Sequence, residues 1–295
     1  MEKFNFYNRK LRILNFCHTD LDGAVSAIVI RNVFEKVITV PISYRSEINI
    51  GGKLDRNIND VDAIIFTDFC PTISLETVKS YGKPVLVLDH HESARKYNDP
   101  ANQIYVNEIY CGAKLAYKFF EKFVNLKHLE TLVEITDDYD RWILKDNRSF
   151  PLNQLFWANE SIVDFIDRFN DGNINLSDAE KKFLIETKKK ISAFIDKLEI
   201  MELPNDGVLC TCSEYLGEVS YELQKKGYKW ICMFNPKTEN LSMRSRDSKL
   251  NLVEVTKMLG IGGGHSKAAG IPCAAKDLKT VIAKSIKIVS DIFAK

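Results

Sequence analysis

The chain has 295 residues, of which 45% are hydrophobic and 27% charged, so its composition is that of a globular protein and excludes an intrinsically disordered one. Its 41 basic and 40 acidic residues give a net charge of +1. This balance excludes nucleic-acid binding through a general basic field, so any such binding would have to use local groups. We find no signal-peptide pattern, no run of the ~20 apolar residues that a membrane span needs, and no CxxC pair among the seven cysteines. We therefore expect a protein of the reducing cytoplasm that does not bind a membrane.

Apolar runs alternate with helical periodicity through the first half of the chain. The predicted strands cover 12–18, 37–44, 62–69 and 84–91. The predicted helices cover 23–34, 73–80, 111–125 and 127–136. Pro41 moves the second strand towards a sheet edge, because proline cannot donate to a central ladder. The alternation favours an α/β fold with a parallel sheet covered on both faces.

The second half begins with a mostly helical stretch from 152 to 200 and then returns to strand-like runs. Ser177–Glu180 is a capping box at the start of a long, Lys-rich helix. We expect a first domain at 1–177, a helical connector at 178–203 and a smaller α/β domain at 204–295. The length of the chain agrees with two medium-sized domains.

Side chains that can bind metal lie at the ends of three of the predicted strands. They are His18, Asp20 and Asp22 at the end of the first strand, Asp68 at the end of the third, and Asp89, His90 and His91 at the end of the fourth. Taken singly, the first group also fits a strand-end turn at Asp22–Gly23, and Asp68 also fits a helix cap. Open α/β sheets bind ligands outside the carboxyl ends of their strands, and all three groups lie there in this interpretation. Their convergence favours a metal site over three unrelated turns.

A mixed set of imidazole and carboxylate donors suits divalent Mn, Co, Fe or Zn better than Mg, which prefers oxygen alone. Six or seven donors are too many for one catalytic ion that keeps an open position. They suit two ions that share a carboxylate, which together clamp the attacking and leaving oxygens of a displacement at phosphorus. A further acidic group, 136–142, contains Asp137, Asp138 and Asp140.

Four of these segments resemble the motifs of the DHH phosphoesterase family. They are HTDLDG at 18–23, TD at 67–68, DHH at 89–91 and DYDRW at 138–142. SMRSR at 242–246 and GIGGGHSKAAG at 260–270 resemble the DHH-associated C-terminal domain of that family. The family includes RecJ-type exonucleases, oligoribonucleases (nanoRNases), and phosphatases of cyclic dinucleotides or of 3′-phosphoadenosine phosphate.

The resemblance implies two ions that share Asp68. The first ion takes His18, Asp20 and Asp68, and the second takes Asp22, Asp68, His90 and Asp138. Asp138 is preferred to Asp137 because it directly precedes YDRW. The resemblance also implies that Asp89 orients His90, and that His91 faces the substrate phosphate as a donor or general acid.

The glycine run at 260–264 matches neither a P-loop nor a dinucleotide-binding fingerprint, and by itself it fits a flexible turn. Its backbone N–H groups can also cradle an oxyanion. The resemblance implies a substrate-binding role for five residues. They are Arg244, Ser245, Gly263, Gly264 and His265.

From these features we expect a Mn²⁺-dependent two-metal phosphodiesterase or exonuclease, with Co²⁺ or Mg²⁺ as alternative ions. The expected partner is a short single-stranded RNA or DNA oligonucleotide, which is degraded to mononucleotides, and a homodimer is an open alternative to a monomer. A phosphatase or phosphodiesterase of small nucleotides shares the same motifs and stays open, as does an inactive nucleotide-binding sensor. The motifs do not distinguish RNA from DNA, nor one polarity or length from another.

Overall fold

The structure is a computed structural model that describes residues 4–294. The chain divides into two compact units, Met1–Glu180 and Lys181–Lys295. None of the helices in the described part of the chain combines the length and the apolar character that a bilayer crossing requires. All seven cysteines are buried free thiols. The cytoplasmic location and the oligomeric state stay predictions.

Within the described residues, the first unit is built on a five-stranded parallel sheet. Its strands are β1 (Arg12–His18), β2 (Lys36–Ile42), β3 (Ala63–Thr67), β4 (Val85–Asp89) and β5 (Ile104–Val106). The order is β2-β1-β3-β4-β5, and each neighbouring pair is parallel. The strand with Pro41 lies at an edge, as the sequence predicts. The strand order reverses between β1 and β3, and ligands of open α/β sheets bind at such a point.

Helices cover this sheet. They are α1 (Leu21–Val33), α2 (Ile50–Asn57), α3 (Leu75–Ser80), α4 (Gly112–Phe120), α5 (Glu130–Asp140), α6 (Ser149–Ala158) and α7 (Ile162–Phe169). Most of α1 is buried, because its sequence GAVSAIVI is apolar on nearly every side. Next, α8 (Asp178–Ile195) crosses the boundary between the units. The predicted capping box opens it: the Ser177 N–H donates to Glu180 Oε2 at 2.7 Å, and the Glu180 N–H donates to Ser177 Oγ at 3.2 Å.

The second unit contains a mixed sheet with the order β10-β11-β9-β8-β7-β6. Its strands are β6 (Ile200–Leu203), β7 (Gly207–Thr211), β8 (Trp230–Asn235), β9 (Asn240–Ser245), β10 (Gly263–His265) and β11 (Ala268–Pro272). Its helices are α9 (Leu216–Lys225), α10 (Leu252–Leu259) and α11 (Leu278–Phe293). Trp230, Met243 and Val289 lie fully buried in its core. The α/β class and the smaller second sheet domain are confirmed.

The structure differs from the predicted elements in several places, among them the helices α9 and α10, which fall where only strand-like runs were predicted. The predicted connector at 178–203 contains a strand, since α8 ends at Ile195 and Ile200–Leu203 pairs with β7. The strand β5 was not predicted, because three residues are too short for a periodic signal. The helix α2 was not predicted either, because Gly51 and Gly52 lower its helix propensity.

Candidate metal centre

The carboxyl ends of β1, β3 and β4 bring the predicted ligands together. His18 is the last residue of β1, Asp68 directly follows β3, and Asp89 ends β4. Asp20 is the N-cap of α1, where its Oδ1 accepts a hydrogen bond from the Gly23 N–H at 3.0 Å. Residues far apart in the chain therefore meet where the strand order reverses.

One ligand group lies on the β1 side. His18 Nδ1 is 2.7 Å from Asp20 Oδ2 and 3.8 Å from Asp68 Oδ2. One potential ligand atom from each of these three residues lies within 4.8 Å of the others. Burial, the largest single effect, opposes the charged form of Asp20, but the His18 charge and hydrogen bond outweigh it and hold the pKa of Asp20 below its usual range. Asp20 is therefore a carboxylate ready to bind a cation.

A second ligand group surrounds His90, whose Nε2 faces three carboxylate oxygens. It lies 3.1 Å from Asp68 Oδ1, 3.4 Å from Asp22 Oδ2 and 3.5 Å from Asp140 Oδ2. Burial lowers the pKa of His90, which favours the neutral imidazole that metals require. The backbone N–H groups of Gly112 and Ala113, at the start of α4, donate to Asp22 at 2.6 and 2.8 Å. The N-terminus of α4 therefore fixes the Asp22 carboxylate in this group.

Asp68 belongs to both groups. Its Oδ1 is directed to His90 and its Oδ2 to His18, and among the described residues neither oxygen accepts a hydrogen bond. The side chain is 1% exposed, and burial, followed by the charges of Asp22 and Asp20, raises the pKa of Asp68 well above its usual value. A buried carboxylate without donors is costly unless a cation lies between its oxygens and the facing ligands.

The other two acids of the second group also have raised pKa values. Burial, and then the charge of Asp20, raises the pKa of Asp22 to about 6. Burial also raises the pKa of Asp140 to about 7, with Asp22 adding to this rise and His90 opposing it. Divalent cations would reverse these shifts by supplying positive charge. The donors that the structure presents therefore fit two divalent ions that share Asp68.

The structure corrects the choice of Asp138 as a ligand. Its carboxylate accepts hydrogen bonds from the Lys145 N–H, the Asp146 N–H and the Ser149 hydroxyl, so it holds the loop after α5. Because α5 continues through Asp140, residues two apart differ by about 200° around the helix axis. Asp138 and Asp140 therefore face different sides, and it is Asp140 that reaches His90.

Asp137, the alternative that the sequence left open, is not at the cluster either. It accepts from the Cys111 N–H at 2.9 Å and from Lys114 Nζ at 3.1 Å. The sequence contains Asp140 within the motif, but no signal in the sequence fixes which face of α5 is directed to the site.

A second correction concerns Asp89. Its Oδ1 lies 2.8 Å from Nδ1 of His91, so Asp89 orients His91 rather than His90. In an extended segment residues two apart point to the same side, whereas neighbours point to opposite sides. Burial opposes the charged form of His91, but the Asp89 charge and hydrogen bond outweigh it and raise the pKa of His91 to about 9. The contact with Asp89 therefore favours the charged, donating form of His91 in the metal-free protein.

Two residues at the site were not predicted. A Cβ at Gly112 would lie 2.5 Å from Asp68 Cβ and 3.0 Å from Asp22 Oδ2, so only glycine allows α4 to start this close to the ligands. The Tyr44 ring lies 5.4 Å from the His18 ring and 5.6 Å from the His91 ring, centre to centre. Its position at the end of a predicted strand gave no sign of this contact.

In the second unit, three neighbouring strands place two of the predicted residues on one face. Ala268 of β11 is the register partner of His265 in β10 and of Arg244 in β9. Directly opposed residues share a face of the sheet, so Arg244 and His265 flank the small Ala268 side chain. Arg244 Nη1 also donates to Ser242 Oγ at 2.8 Å.

Part of the glycine run, which by itself fits a flexible turn, forms the strand β10 of a hairpin. Gly264 has φ 141°, and a Cβ there would clash with the Ala268 carbonyl oxygen. Gly263 has open space around its α-carbon. Tight hairpin geometry therefore requires glycine at 264, while 263 leaves its backbone approachable.

The structure corrects the prediction for Ser245, which faces the opposite side of β9. Its side chain is fully buried, and its hydroxyl donates to the Lys229 carbonyl at 2.9 Å and accepts from the Asp247 N–H at 3.1 Å. With both functions of the hydroxyl engaged inside the unit, Ser245 is a structural residue.

Comparison with known proteins found a family match within the first unit. Residues 12–142 match the model of the DHH family, N-terminal domain, and the match does not extend into the second unit. No curated protein matches the chain.

Solved structures that share its fold include three with different descriptions. The DHH domain of a member of the s1p family of ribosomal proteins is 16% identical with a TM-score of 0.68, over 96% of this chain and 87% of that one. RecJ with Mn²⁺ from Thermus thermophilus is 14% identical with a TM-score of 0.59, over 97% of this chain and 53% of RecJ. The pGpG-specific phosphodiesterase PggH from Vibrio cholerae is 17% identical with a TM-score of 0.52, over 96% of this chain and 99% of PggH.

Proposed function

Since residues 12–142 form the N-terminal domain of the DHH family, whose members are metal-dependent phosphoesterases, we propose that this chain is a two-metal phosphodiesterase of short oligonucleotides. The observation that carries the proposal is Asp68, a buried carboxylate directed to two ligand groups with no hydrogen-bond donor among the described residues. His18 and Asp20 would hold one ion with it, and Asp22, His90 and Asp140 the other.

Bound ions would supply the positive charge that makes water nucleophilic at neutral pH and stabilises the leaving oxygen. The residues of the chain would contact the substrate and hold the ligands in place. His91, kept charged by Asp89, donates a hydrogen bond to a phosphate oxygen or a proton to the leaving oxygen. The Asp22 carboxylate is held by the start of α4, which keeps its ligand group in place before substrate binds.

We assign substrate binding in the second unit to Arg244, His265 and the backbone of Gly263 and Gly264. Arg244 and His265 share one face of the sheet with only an alanine between them, which suits a phosphate or a base edge between two donors. Ser245 is not included, because its hydroxyl is engaged within the unit.

A small linear or cyclic dinucleotide is the second candidate substrate. PggH, a pGpG-specific phosphodiesterase, matches this chain over nearly the whole length of both proteins, whereas the match to RecJ covers 53% of that chain. A linear dinucleotide is also the shortest oligonucleotide, so one assay series can separate the two substrates.

Mn²⁺ is the proposed native ion, since the donor set mixes imidazole with carboxylate. RecJ from Thermus thermophilus has been solved with Mn²⁺ and with Mg²⁺. Co²⁺ and Mg²⁺ are therefore the alternatives to compare.

The test is a hydrolysis assay with chelated, dialysed protein that is supplied with Mn²⁺, Co²⁺ or Mg²⁺. The substrates are labelled RNA and DNA in three lengths, a dinucleotide, a pentamer and a long single strand, together with cyclic dinucleotides. We expect no turnover in chelator, recovery best with Mn²⁺, and the highest kcat/KM on the dinucleotide or pentamer. The Asp68→Asn variant is the negative control.

Full turnover in excess chelator would refute the two-metal site. A preference for the long strand would refute the short-substrate proposal and leave the metal site intact. Preference for a cyclic dinucleotide over every linear substrate would favour the second candidate.

A further inference from the structure

The turn that follows β2 carries an aromatic side chain to the edge of the metal centre. Tyr44 begins this turn, and its ring centre lies 4.8 Å from that of Phe69, which follows β3 next to Asp68. The same ring lies beside His18 and His91. Tyr44 is nevertheless 39% exposed, so part of its ring is open to solvent while the rest packs against the site.

The turn is held rigidly, which makes Tyr44 a preformed surface. Glu47, which is fully buried, accepts hydrogen bonds from the Ile73 N–H at 2.7 Å and from the N–H and hydroxyl of Ser74 at 3.0 and 2.9 Å. Ser43 and Ser46 form a capping box at its start. A buried charged side chain that ties a surface turn to the next segment fixes the position of the turn.

Two large apolar side chains lie exposed on the two segments that Glu47 joins. Ile48 is 79% exposed and Ile73 is 76% exposed, and the Glu47 hydrogen bond joins their two segments. The Tyr44 ring, which packs against His18, Phe69 and His91, is an aromatic surface at the edge of the candidate site. An inorganic phosphate chain has no apolar face that could pack on such a surface. A nucleobase has one, and it stacks on aromatic rings.

We propose that Tyr44 stacks on the base of a nucleotide next to the scissile phosphate, so that the first unit itself selects nucleotides over inorganic polyphosphates. The inference rests on the proposed function and deepens it, because it identifies a specificity-determining residue for the class of substrate. Tyr44 acts through its ring, so its hydroxyl is dispensable for this role.

The test compares Tyr44→Ala and Tyr44→Phe on a dinucleotide and on its two abasic derivatives, each of which lacks one of the bases. We expect Tyr44→Ala to raise KM for the intact dinucleotide by about 5- to 150-fold, the range for losing one base–aromatic stack. Tyr44→Phe should stay within about twofold of wild type, because the stacking face is kept. On the abasic compound that lacks the stacked base, Tyr44→Ala and wild type should have equal KM.

A matched control is Tyr7→Ala. Tyr7 is 45% exposed and stacks on Phe123, beyond the end of α4 opposite the metal ligands. This variant should keep wild-type KM on each of these substrates.

Two outcomes would overturn the inference and are distinguishable. In the first outcome, wild type hydrolyses the dinucleotide, and Tyr44→Ala raises KM by the same factor on the intact dinucleotide and on every abasic derivative. Tyr44 then has only a structural role, and the proposed function stands. If metal-loaded wild type hydrolyses no nucleotide phosphodiester, both the proposed function and this role of Tyr44 are wrong.

Discussion

Asp68 combines two unfavourable features that a purely structural residue would not keep. Its φ of 54° lies in the left-handed region, and its buried carboxylate has acids as neighbours on both sides. Such strain persists at functional sites because the surrounding structure enforces it. Asparagine tolerates the same backbone conformation and removes only the charge.

Asp68→Asn should therefore make the metal-free protein more stable while it removes metal binding. We expect the Tm in chelator to rise by at least about 2 °C, since relief of about 1 kcal/mol shifts Tm by ~2–4 °C in domains of this size. Added Mn²⁺ should raise the Tm of wild type but not that of the variant. Thermal unfolding with and without Mn²⁺ measures both effects.

The control for this prediction is Asp291→Asn, at an exposed position in α11. It should leave both Tm values within about 1 °C of wild type, as surface substitutions usually do. A lower Tm for chelated Asp68→Asn than for chelated wild type would show that the Asp68 charge stabilises the fold, contrary to our interpretation.

Asp138 and Asp140 provide a direct test of which acid binds metal. Asp140→Ala removes a proposed ligand, so we expect fewer bound Mn²⁺ per chain and at least about a hundredfold lower kcat/KM, without loss of stability. Asp138→Ala removes three hydrogen bonds to a buried carboxylate, and it should destabilise the protein by at least about 2 kcal/mol and keep its metal content. Metal analysis and urea unfolding of both variants separate the roles. If Asp138→Ala loses the metal and Asp140→Ala keeps it, the ligand is Asp138 after all.

At the scale of the elements, α4 supports the site through its first turn. Its N–H groups bind Asp22, and its first residue, Gly112, lies against Asp68. A helix N-terminus stabilises a nearby carboxylate through its free N–H groups and its dipole. The helix therefore opposes the rise in the pKa of Asp22 that burial and the charge of Asp20 cause.

Gly112→Ala should separate this role from ordinary helix stability. The added methyl would meet Asp68 Cβ at 2.5 Å, so we expect weaker Mn²⁺ binding and a lower kcat/KM, even though alanine is the better helix former. Gly52→Ala, in α2, has no heavy atom within 4 Å of the new methyl and should stabilise the protein by roughly 0.5–1 kcal/mol with unchanged activity. Mn²⁺ titration followed by assay of both variants gives the comparison. Equal activity of the two variants would show that the close approach at Gly112 is not needed.

The elements that carry most of the site could be predicted from the sequence because they have strong local signals. β1, β3 and β4 are apolar runs that end in polar ligands, and their order along the chain is enough to place them in one parallel sheet. The choice between Asp138 and Asp140 depends on where α5 ends and how it is rotated, which is set by packing. Tyr44 joins the site through a turn held by Glu47, a contact across 26 residues that no local pattern encodes.

At the scale of the whole molecule, the two sheets differ in a way that matches the two proposed tasks. The parallel sheet gathers the ends of several strands at one edge, which suits a cluster of metal ligands. The end of the second sheet formed by β9, β11 and β10 is antiparallel, so residues distant in the sequence lie opposite one another on a face. Arg244 and His265 both lie opposite Ala268 in this way, which suits recognition without metal.

This division predicts that changes in the second unit alter binding and leave the metal centre intact. His265→Ala should keep wild-type Mn²⁺ content and raise KM for a dinucleotide, with a smaller change in kcat, because a binding contact is present in both the ground state and the transition state. Loss of one charge-assisted hydrogen bond costs about 1.5–3 kcal/mol, which corresponds to roughly a tenfold to hundredfold effect. The control is His128→Ala, in an exposed turn of the first unit, which should leave kcat and KM unchanged.

Arg244→Ala should behave like His265→Ala, and the double variant should lose less than the product of the two single effects, because both side chains would hold the same nucleotide. The measurement is a double-mutant cycle on kcat/KM with the dinucleotide, accompanied by metal analysis of each variant. Strict additivity would mean that the two residues contact independent parts of the substrate. If both single variants kept wild-type kcat/KM, the face shared by β9 and β10 would have no part in substrate binding, and selection of the nucleotide would fall to the first unit alone.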